Sequence, residues 1–386
     1  MKLKRFIQQE TVLSVAAVLA VVSAFAVPPD AGYLAYLDLR TLATLFALMT
    51  VMAGLRRQGV FDRLGRALLA RTQGLVPLVG LLVGLCFFGS MFITNDVALL
   101  TFVPFTFSVL RGLGAQTAAR LTLPIVCMQT VAANLGSMLT PVGNPQNLYL
   151  YGLSGLGLPG FLALMLPYTA VSLLLLAVWT VALCRRTGPA PAAGENAPAA
   201  PAAPALPAAN ARLLWMYAAL FVLCLLAVAR VLPYPAAFAA VLAAVLLADR
   251  PALRLVDYSL LLTFAAFFVF IGNLGRVPAF SAWLQALLAG REVPVAVLAS
   301  QVISNVPAAL LLSGFTGNVQ ALIVGTNLGG LGTLIASMAS LISYKFISRQ
   351  YPAERGRYLL RFTAWNVGLL ALLLLLALAL GAVSPG

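Results

Sequence analysis

Histidine is absent from this 386-residue chain, and acidic residues number only ten. The first absence excludes histidine proton relays and histidine-ligated metals. Cysteine is scarce as well. Cys86, Cys127, Cys184 and Cys224 sit in or at the ends of apolar segments without metal or redox spacing, as small packing residues do. Charge is the largest deficit: 9% of residues are charged and 62% are hydrophobic, too little charge to cover a water-soluble surface of this size. Apart from Asp96, the acids fall near expected membrane ends, in loops or in a linker. Without a buried acid–base pair or a nucleophile with an evident base, enzyme chemistry has no foothold.

What is abundant is apolar sequence of membrane-spanning length, for example from Thr11 to Val27 and from Tyr358 to Ala382. The chain reads as an all-α polytopic membrane protein with about nine full transmembrane helices. The first apolar run follows Lys2, Lys4 and Arg5 but lacks a small-residue cleavage site before Pro28-Pro29, so it is expected to stay as an uncleaved helix. A net charge of +14 does not point to nucleic acid. With the N-terminus cytoplasmic, 20 of the 24 Lys and Arg residues fall inside, leaving only Arg40, Arg230, Arg276 and Arg291 outside. That asymmetry sets orientation in the cell's inner (plasma) membrane and says nothing about ligand choice.

Residues 185–211 turn to Pro, Ala and Gly and read as a cytoplasmic linker. They separate a first repeat, 1–184, from an extra helix plus a second repeat, 212–386. The repeats share landmarks. Leu37-Asp38 is matched by Val256-Asp257, Thr94-Asn95 by Ser304-Asn305, and Asn134-Leu135-Gly136 by Asn327-Leu328-Gly329. Arg56 and Arg57 follow the span near 36–55, whereas Arg250 and Arg254 precede its counterpart near 257–275, so the second repeat is inverted. The extra helix near 211–231 supplies the inversion. Inverted repeats with broken helices are a mark of secondary transporters.

Spacing sets depth. Asn305 and Asn327 are separated by 21 residues, whereas two full crossings need about 40 at a rise of ~1.5 Å per residue. Residues 293–316 are therefore expected to form a re-entrant hairpin with its tip at Ser304-Asn305. A helix over 318–343, interrupted from Asn327 to Gly332, is expected to follow. The first repeat is expected to mirror this with a hairpin over 76–110, tipped at Thr94-Asn95-Asp96, and a helix over 118–147, broken from Asn134 onward. The spacing is looser there and also leaves room for two full crossings around residue 95. Val60 to Arg66 reads as an amphipathic interfacial helix.

A break in a helix frees backbone carbonyls on one side and amide N–H groups on the other. Carbonyl, Asn and Thr oxygens suit a hard cation such as Na⁺, and helix N-termini suit anions. Pro145 and Pro307 fit the first turns of such helices. Asn and Gly also serve helix packing in membranes, but four clusters, two per repeat, at mid-membrane breaks point to a site for a polar solute. Asp96 is either a cation ligand, a carboxylate that exchanges a proton, or the N-cap of a helix starting at Val97. Its counterpart Val306 has no such chemistry. The stretch Thr140-Pro141-Val142-Gly143-Asn144-Pro145-Gln146-Asn147 cannot continue a helix and is more polar than its counterpart 333–340, so the first repeat is expected to supply more substrate contacts.

At these residues the chain resembles the ion transporter superfamily, in its citrate-transporter-like and arsenite-permease-like branch related to divalent anion/sodium symporters. The strings that carry the resemblance are Phe92 to Leu99, Asn134 to Ser137 running on to Asn147, Ser304 to Ala308, and Thr326 to Gly330. The resemblance implies two hairpins, two interrupted helices, a homodimer and an elevator-like movement. It implies a substrate site drawn from Thr94, Asn95, Asn144, Pro145, Asn147, Ser304, Asn305 and Thr326. It also implies a cation site, for Na⁺ or H⁺, drawn from Asn95, Asp96, Asn134, Gly136, Ser137, Asn305, Asn327 and Gly329. The tips Thr94-Asn95-Asp96 and Ser304-Asn305-Val306 depart from the paired Ser-Asn-Thr tips of the dicarboxylate symporters. The expectation is a carrier of a small carboxylate-like anion coupled to Na⁺ or H⁺, with no cofactor. Its rivals are a cation/proton antiporter or metalloid efflux permease centred on Asp96, and a membrane scaffold or receptor that moves nothing.

Overall fold

The computed structural model describes residues 10–187 and 210–382. Most of the expected linker, 188–209, lies outside them, as do the basic residues before position 10. The described residues form helices throughout, with no strand among them.

The first half runs α1 (Thr11–Ala26), the single turn α2 (Tyr33–Tyr36), α3 (Leu39–Arg57), α4 (Val60–Leu69), α5 (Leu75–Ile93), α6 (Asn95–Arg111), α7 (Ala115–Ser137), α8 (Pro145–Leu153) and α9 (Leu158–Thr187). The second runs α10 (Ala211–Val228), α11 (Tyr234–Ala248), α12 (Tyr258–Gly275), α13 (Pro278–Leu288), α14 (Glu292–Ile303), α15 (Asn305–Ser313), α16 (Val319–Leu328), α17 (Met338–Gln350) and α18 (Arg355–Ala379). The two halves start their long helices alike. Asp38 accepts from the Thr41 amide at the head of α3, and Asp257 accepts from the Leu260 amide at the head of α12. Each carboxylate thus satisfies a donor that the first helical turn leaves free.

Among the described residues, six helices are long and apolar enough to cross a membrane, or seven if α13 and α14, bent by 114° at their junction, count as one. The nine full spans expected from run length are not reached. Helices α1, α11 and α16 are apolar but stop at 16, 15 and 10 residues. Prolines that a run-length reading passes over bound two of them, Pro28-Pro29 after α1 and Pro233 before α11, and Gly329-Gly330 follows α16. Large apolar side chains face outward, Phe25 and Leu247 each 86% exposed and Trp215 78%, as a surface in contact with lipid requires.

The halves are interleaved. Helix α1 packs on α12 of the other half, and α11 packs on α3. The first contact is pinned by Asn273, whose amide donates to the Ser23 hydroxyl (3.0 Å) and the Tyr33 hydroxyl (2.8 Å). At the rim, Arg276 pairs with Asp30, and this hydrogen bond holds the exposed Asp30 carboxyl below the usual carboxylate range. The second contact has its own polar tie. Asp249, buried after α11, pairs with Arg57 of α3 and accepts from the Tyr217 hydroxyl of α10 at 2.9 Å. A side chain at Gly54 would lie 2.0 Å from the Tyr217 ring, so the close approach of α3 and α10 depends on that glycine.

Helices α5 and α6 form one hairpin and α14 and α15 another, turning at Thr94 and Ser304 as expected. The arms differ in reach. At ~1.5 Å per residue the first pair is about 28 and 26 Å long, close to the ~30 Å hydrocarbon thickness, and the second about 18 and 14 Å. Each hairpin packs on the first segment of a broken helix, α7 and α16 respectively. The second segments cross over: α8 packs on α15 and α16, and α17 packs on α6 and α7. The first break is shorter than expected, 138–144, because α7 stays helical through Asn134, Gly136 and Ser137. The amphipathic stretch at 60–66 is helical within α4.

Candidate functional site

The hairpin tips are sharp because one residue does all the turning. Thr94 adopts φ 66°, ψ 152° and Ser304 adopts φ 74°, ψ 154°. Side chains other than glycine rarely enter this region, and holding one there costs about 1–3 kcal/mol. The surrounding contacts offset that cost, and they are the same in both halves. The Asn95 amide donates to the Gly143 carbonyl (3.2 Å), and the Asn305 amide donates to the Ala336 carbonyl (3.0 Å). The Thr140 hydroxyl donates to the Met91 carbonyl (2.5 Å), and the Thr333 hydroxyl donates to the Gln301 carbonyl (3.1 Å). Gly136 and Gly329 let each hairpin arm close on its broken helix. A side chain would meet the Phe87 carbonyl oxygen at 2.0 Å in the first case and the Ser300 hydroxyl at 2.6 Å in the second.

Cross-half bonds join the two breaks. Asn134 Oδ1 accepts from Asn95 Nδ2 (3.1 Å) and from the Ser337 hydroxyl of the other half (3.0 Å). Asn327 Nδ2 donates to Asn147 Oδ1 of the first half (2.6 Å), and its Oδ1 faces Asn144 Nδ2 at a long 3.5 Å. Asn144 Nδ2 also donates to the Ser137 hydroxyl (2.7 Å). Asn134 reaches the Gly330 carbonyl (3.4 Å), and a side chain at Gly330 would sit 3.0 Å from Asn305 Nδ2. Asn95 is thus bonded into the cluster, and the Asn305 side chain packs against its edge at Gly330. These Asn side chains are buried, where an unmade hydrogen bond costs about 1–3 kcal/mol, so the cluster fixes the geometry of both breaks.

A cavity of about 490 Å³ opens beside the first break. Its apolar wall comes from α3 and α5, including Leu45, Leu48, Met52 and Phe92. Its polar lining is Arg56, Arg57, Thr94, Asp96, Asn144 and Asp257. The first turns of α6 and α8 both end at this cavity, through Thr94 and Asp96 in one case and Asn144 and Pro145 in the other. Asp96 Oδ1 and Asn144 Oδ1 are buried and have no hydrogen-bond partner among the described residues. Arg57 is engaged by Asp249, whereas Arg56 has no ion-pair partner among the described residues.

The residues singled out from sequence fall into three groups. Thr94, Asp96, Asn144 and Pro145 line the cavity. Asn95, Asn134, Ser137, Asn147 and Asn327 form the cluster behind it, with Asn305 packed against Gly330 at its edge and Ser304 hooked to the Ala336 carbonyl at 3.4 Å. Gly136 and Gly329 are packing contacts, and the Thr326 hydroxyl bonds back to the Leu322 carbonyl of its own helix. No residue of the second tip lines the cavity. Asp96 does not cap a helix at Val97, because α6 already begins at Asn95 with Thr94 at the cap position. Ser337 and Gln301 were not singled out. Ser337 is the counterpart of Asn144 under the spacing that relates Asn134 to Asn327. Gln301 is a lone amide in an otherwise apolar hairpin arm.

The citrate transporter family model matches residues 6–321. The chain is 33% identical to the inner membrane protein YbiR of Escherichia coli over 320 residues, covering 81% of this chain and 80% of that one. It is 30% identical to the uncharacterized transporter MJ0456 of Methanocaldococcus jannaschii over 324 residues, covering 83% and 84%. A shorter stretch of 135 residues is 34% identical to the silicon efflux transporter LSI3 of rice, covering 34% and 26%. Together with the helical fold and its membrane-length spans, these matches make the chain a multi-pass membrane transporter and not an enzyme: it belongs to the citrate transporter family, within the ion transporter superfamily.

Proposed function

We propose that this protein is a secondary active transporter of a small carboxylate-like anion, coupled to Na⁺ or H⁺. One observation carries the reading: two helix N-termini and two unpartnered oxygens, Asp96 Oδ1 and Asn144 Oδ1, meet at a single cavity. The positive ends of α6 and α8 favour an anion, reinforced by Arg56. The free oxygens favour a cation or a proton beside it. The two hairpins and two interrupted helices are read as an inverted repeat, with the halves 1–184 and 212–386 on either side of the linker. The matching tip geometry and the reciprocal bonds Asn134–Ser337 and Asn327–Asn144 support this. Asn95, Asn144, Asn147, Ser304, Asn305 and Thr326 remain the substrate candidates, with Thr94 and Pro145. Of the cation candidates, Asp96 lines the cavity, where the free oxygen of Asn144 joins it, while Asn95, Asn134, Ser137, Asn305 and Asn327 support the site from behind and Gly136 and Gly329 do so by packing. The cavity opens to the cytoplasm with the N-terminus inside, the transport step is an elevator-like shift, and the working unit is a homodimer.

A second reading has its own observation. Two carboxylates, Asp96 and Asp257, line the cavity, which suits a cation/proton antiporter or a metalloid efflux permease. The efflux function in the name of the rice relative leans the same way. A thermal-shift screen of small carboxylates and neutral or anionic oxyacids, with and without Na⁺, separates the readings. A bound solute at a hundredfold excess over its Kd stabilises the protein by about 2.7 kcal/mol. The first reading expects a carboxylate to raise Tm in the presence of Na⁺ or at acid pH. A shift only with cations or neutral oxyacids would favour the second.

A further inference from the structure

The two breaks share a backbone plan but not the side chain that faces it. Three residues before the first tip stands Met91, and three before the second stands Gln301. Both main-chain carbonyls accept the hydroxyl of the matching threonine, Thr140 or Thr333. Their side chains behave differently. Gln301 Nε2 lies among three carbonyl oxygens, those of Val297 (3.1 Å), Gly329 (3.0 Å) and Leu331 (3.0 Å). Its Oε1 accepts the Thr333 amide at 2.8 Å. Gly332, at φ 106°, makes room for it, since a side chain there would lie 2.2 Å from Oε1. Val297 is on Gln301's own helix, whereas Gly329 and Leu331 lie at the break, and carbonyls released by a broken helix are the groups that a hard cation takes as ligands. Here a resident amide holds them, and a thioether at Met91 has no N–H with which to do the same.

The first break keeps its oxygens on offer. Asp96 Oδ1 and Asn144 Oδ1 are buried, lack partners among the described residues, and line the cavity; Asn144 is only 3% exposed. Asn144 Nδ2 is tied to Ser137 and faces Asn327, which leaves its oxygen as the free end. The counterparts in the second half are spent or absent. Val306 replaces Asp96, and the Ser337 hydroxyl donates to Asn134. Asn147 Nδ2 serves the carbonyls of Ser137, Met138 and Thr140 at 3.3–3.5 Å, so the oxygens that stay open at the first break are the side-chain oxygens of Asp96 and Asn144.

We propose that the protein has a single coupling-cation site, formed by Asp96 and Asn144 at the first break, and that the Gln301 amide takes the place of a second cation at the other break. This rests on the reading of the site as cation-coupled and narrows it to one cation per transport cycle. Gln301→Glu replaces the two donor protons by a carboxylate against the same carbonyls, which then require a cation. Gln301→Ala removes the donors and leaves the carbonyls open, and serves if the first variant fails to fold. The test is equilibrium binding of radiolabelled Na⁺ alone to the purified full-length protein. The wild type is expected to bind one Na⁺, or none if its coupling ion is a proton, and each Gln301 variant to bind one more. The additional Na⁺ persists in the Gln301→Glu, Asp96→Asn double variant. Two Na⁺ per wild-type protein, or no gain in either variant, would overturn the proposal. Because the readout is a binding count and not a flux, its failure is distinct from failure of the transport reading.

Discussion

Asp96→Asn is expected to abolish proton-driven flux in proteoliposomes and to cut Na⁺-driven solute uptake about 10- to 100-fold. The side chain touches no partner among the described residues, so its replacement by a neutral amide of the same shape breaks no contact that holds the fold. What it removes is the negative charge at the cavity. An interaction of a charged group at such a site contributes about 1.5–3 kcal/mol, and each 1.4 kcal/mol corresponds to about a factor of ten in binding. The variant should therefore purify and melt like the wild type while losing coupled transport. Uptake unchanged under both gradients would take Asp96 out of the coupling step and leave its burial in a membrane unexplained.

Gly136→Ala is expected to lower the melting temperature by about 6–12 °C, taking about 3 kcal/mol of overpacking and about 2–4 °C per kcal/mol for a chain of this order of size. The added methyl would lie 2.0 Å from the Phe87 carbonyl oxygen, a backbone atom that moves only if α5 separates from α7. That separation would also pull the tip at Thr94 away from the Gly143 carbonyl that holds it. Gly329→Ala should destabilise as well, since the Ser300 hydroxyl can rotate but Ser300 Cβ at 2.8 Å and the Gly325 carbonyl oxygen at 2.9 Å cannot. Gly80→Ala and Gly356→Ala are the controls. Nothing lies within 4 Å of an added side chain at either, and alanine is the better helix former by about 0.5–1 kcal/mol. Thermal unfolding of the four purified variants in detergent gives the comparison. Equal melting of Gly136→Ala and the controls would contradict the close approach of hairpin and broken helix.

The tips and the breaks were legible in the sequence because asparagine, glycine and proline are loud in an apolar chain. Thr94-Asn95 and Ser304-Asn305 turn where expected, and α16 stops at Leu328, although the second break runs on to Ser337, past the expected end at Gly332. The pairing of Thr140 with 333 in the sequence also anticipates the matched hydroxyl bonds to Met91 and Gln301. Other features gave no such signal. Helix α11 is apolar along its whole length, and nothing in its composition distinguishes it from the extra helix expected before it. Asp249 reads as an acid at a membrane end. Its burial against Arg57 and Tyr217 depends on α11 returning to α3, a contact between residues 192 apart that no local pattern encodes. Gln301 was passed over for a related reason. An amide inside a hairpin arm has no meaning until the break it fills is placed beside it. The cavity is equally a tertiary product, assembled from α3, two helix starts and the head of α12, and its one-sided lining by the first tip could not be read from two similar motifs.

Reconstitution into liposomes tests the central claim most directly. Purified protein would be given an imposed inward Na⁺ or H⁺ gradient and a panel of radiolabelled carboxylates and oxyanions. Uptake of at least one anion that collapses with the gradient, and that falls in both Asn95→Ala and Asn305→Ala, is the predicted result, because both tips meet the same polar cluster, Asn95 through Asn134 and Asn305 against Gly330. An absence of gradient-dependent uptake across the panel, or full uptake in both variants, would contradict the account.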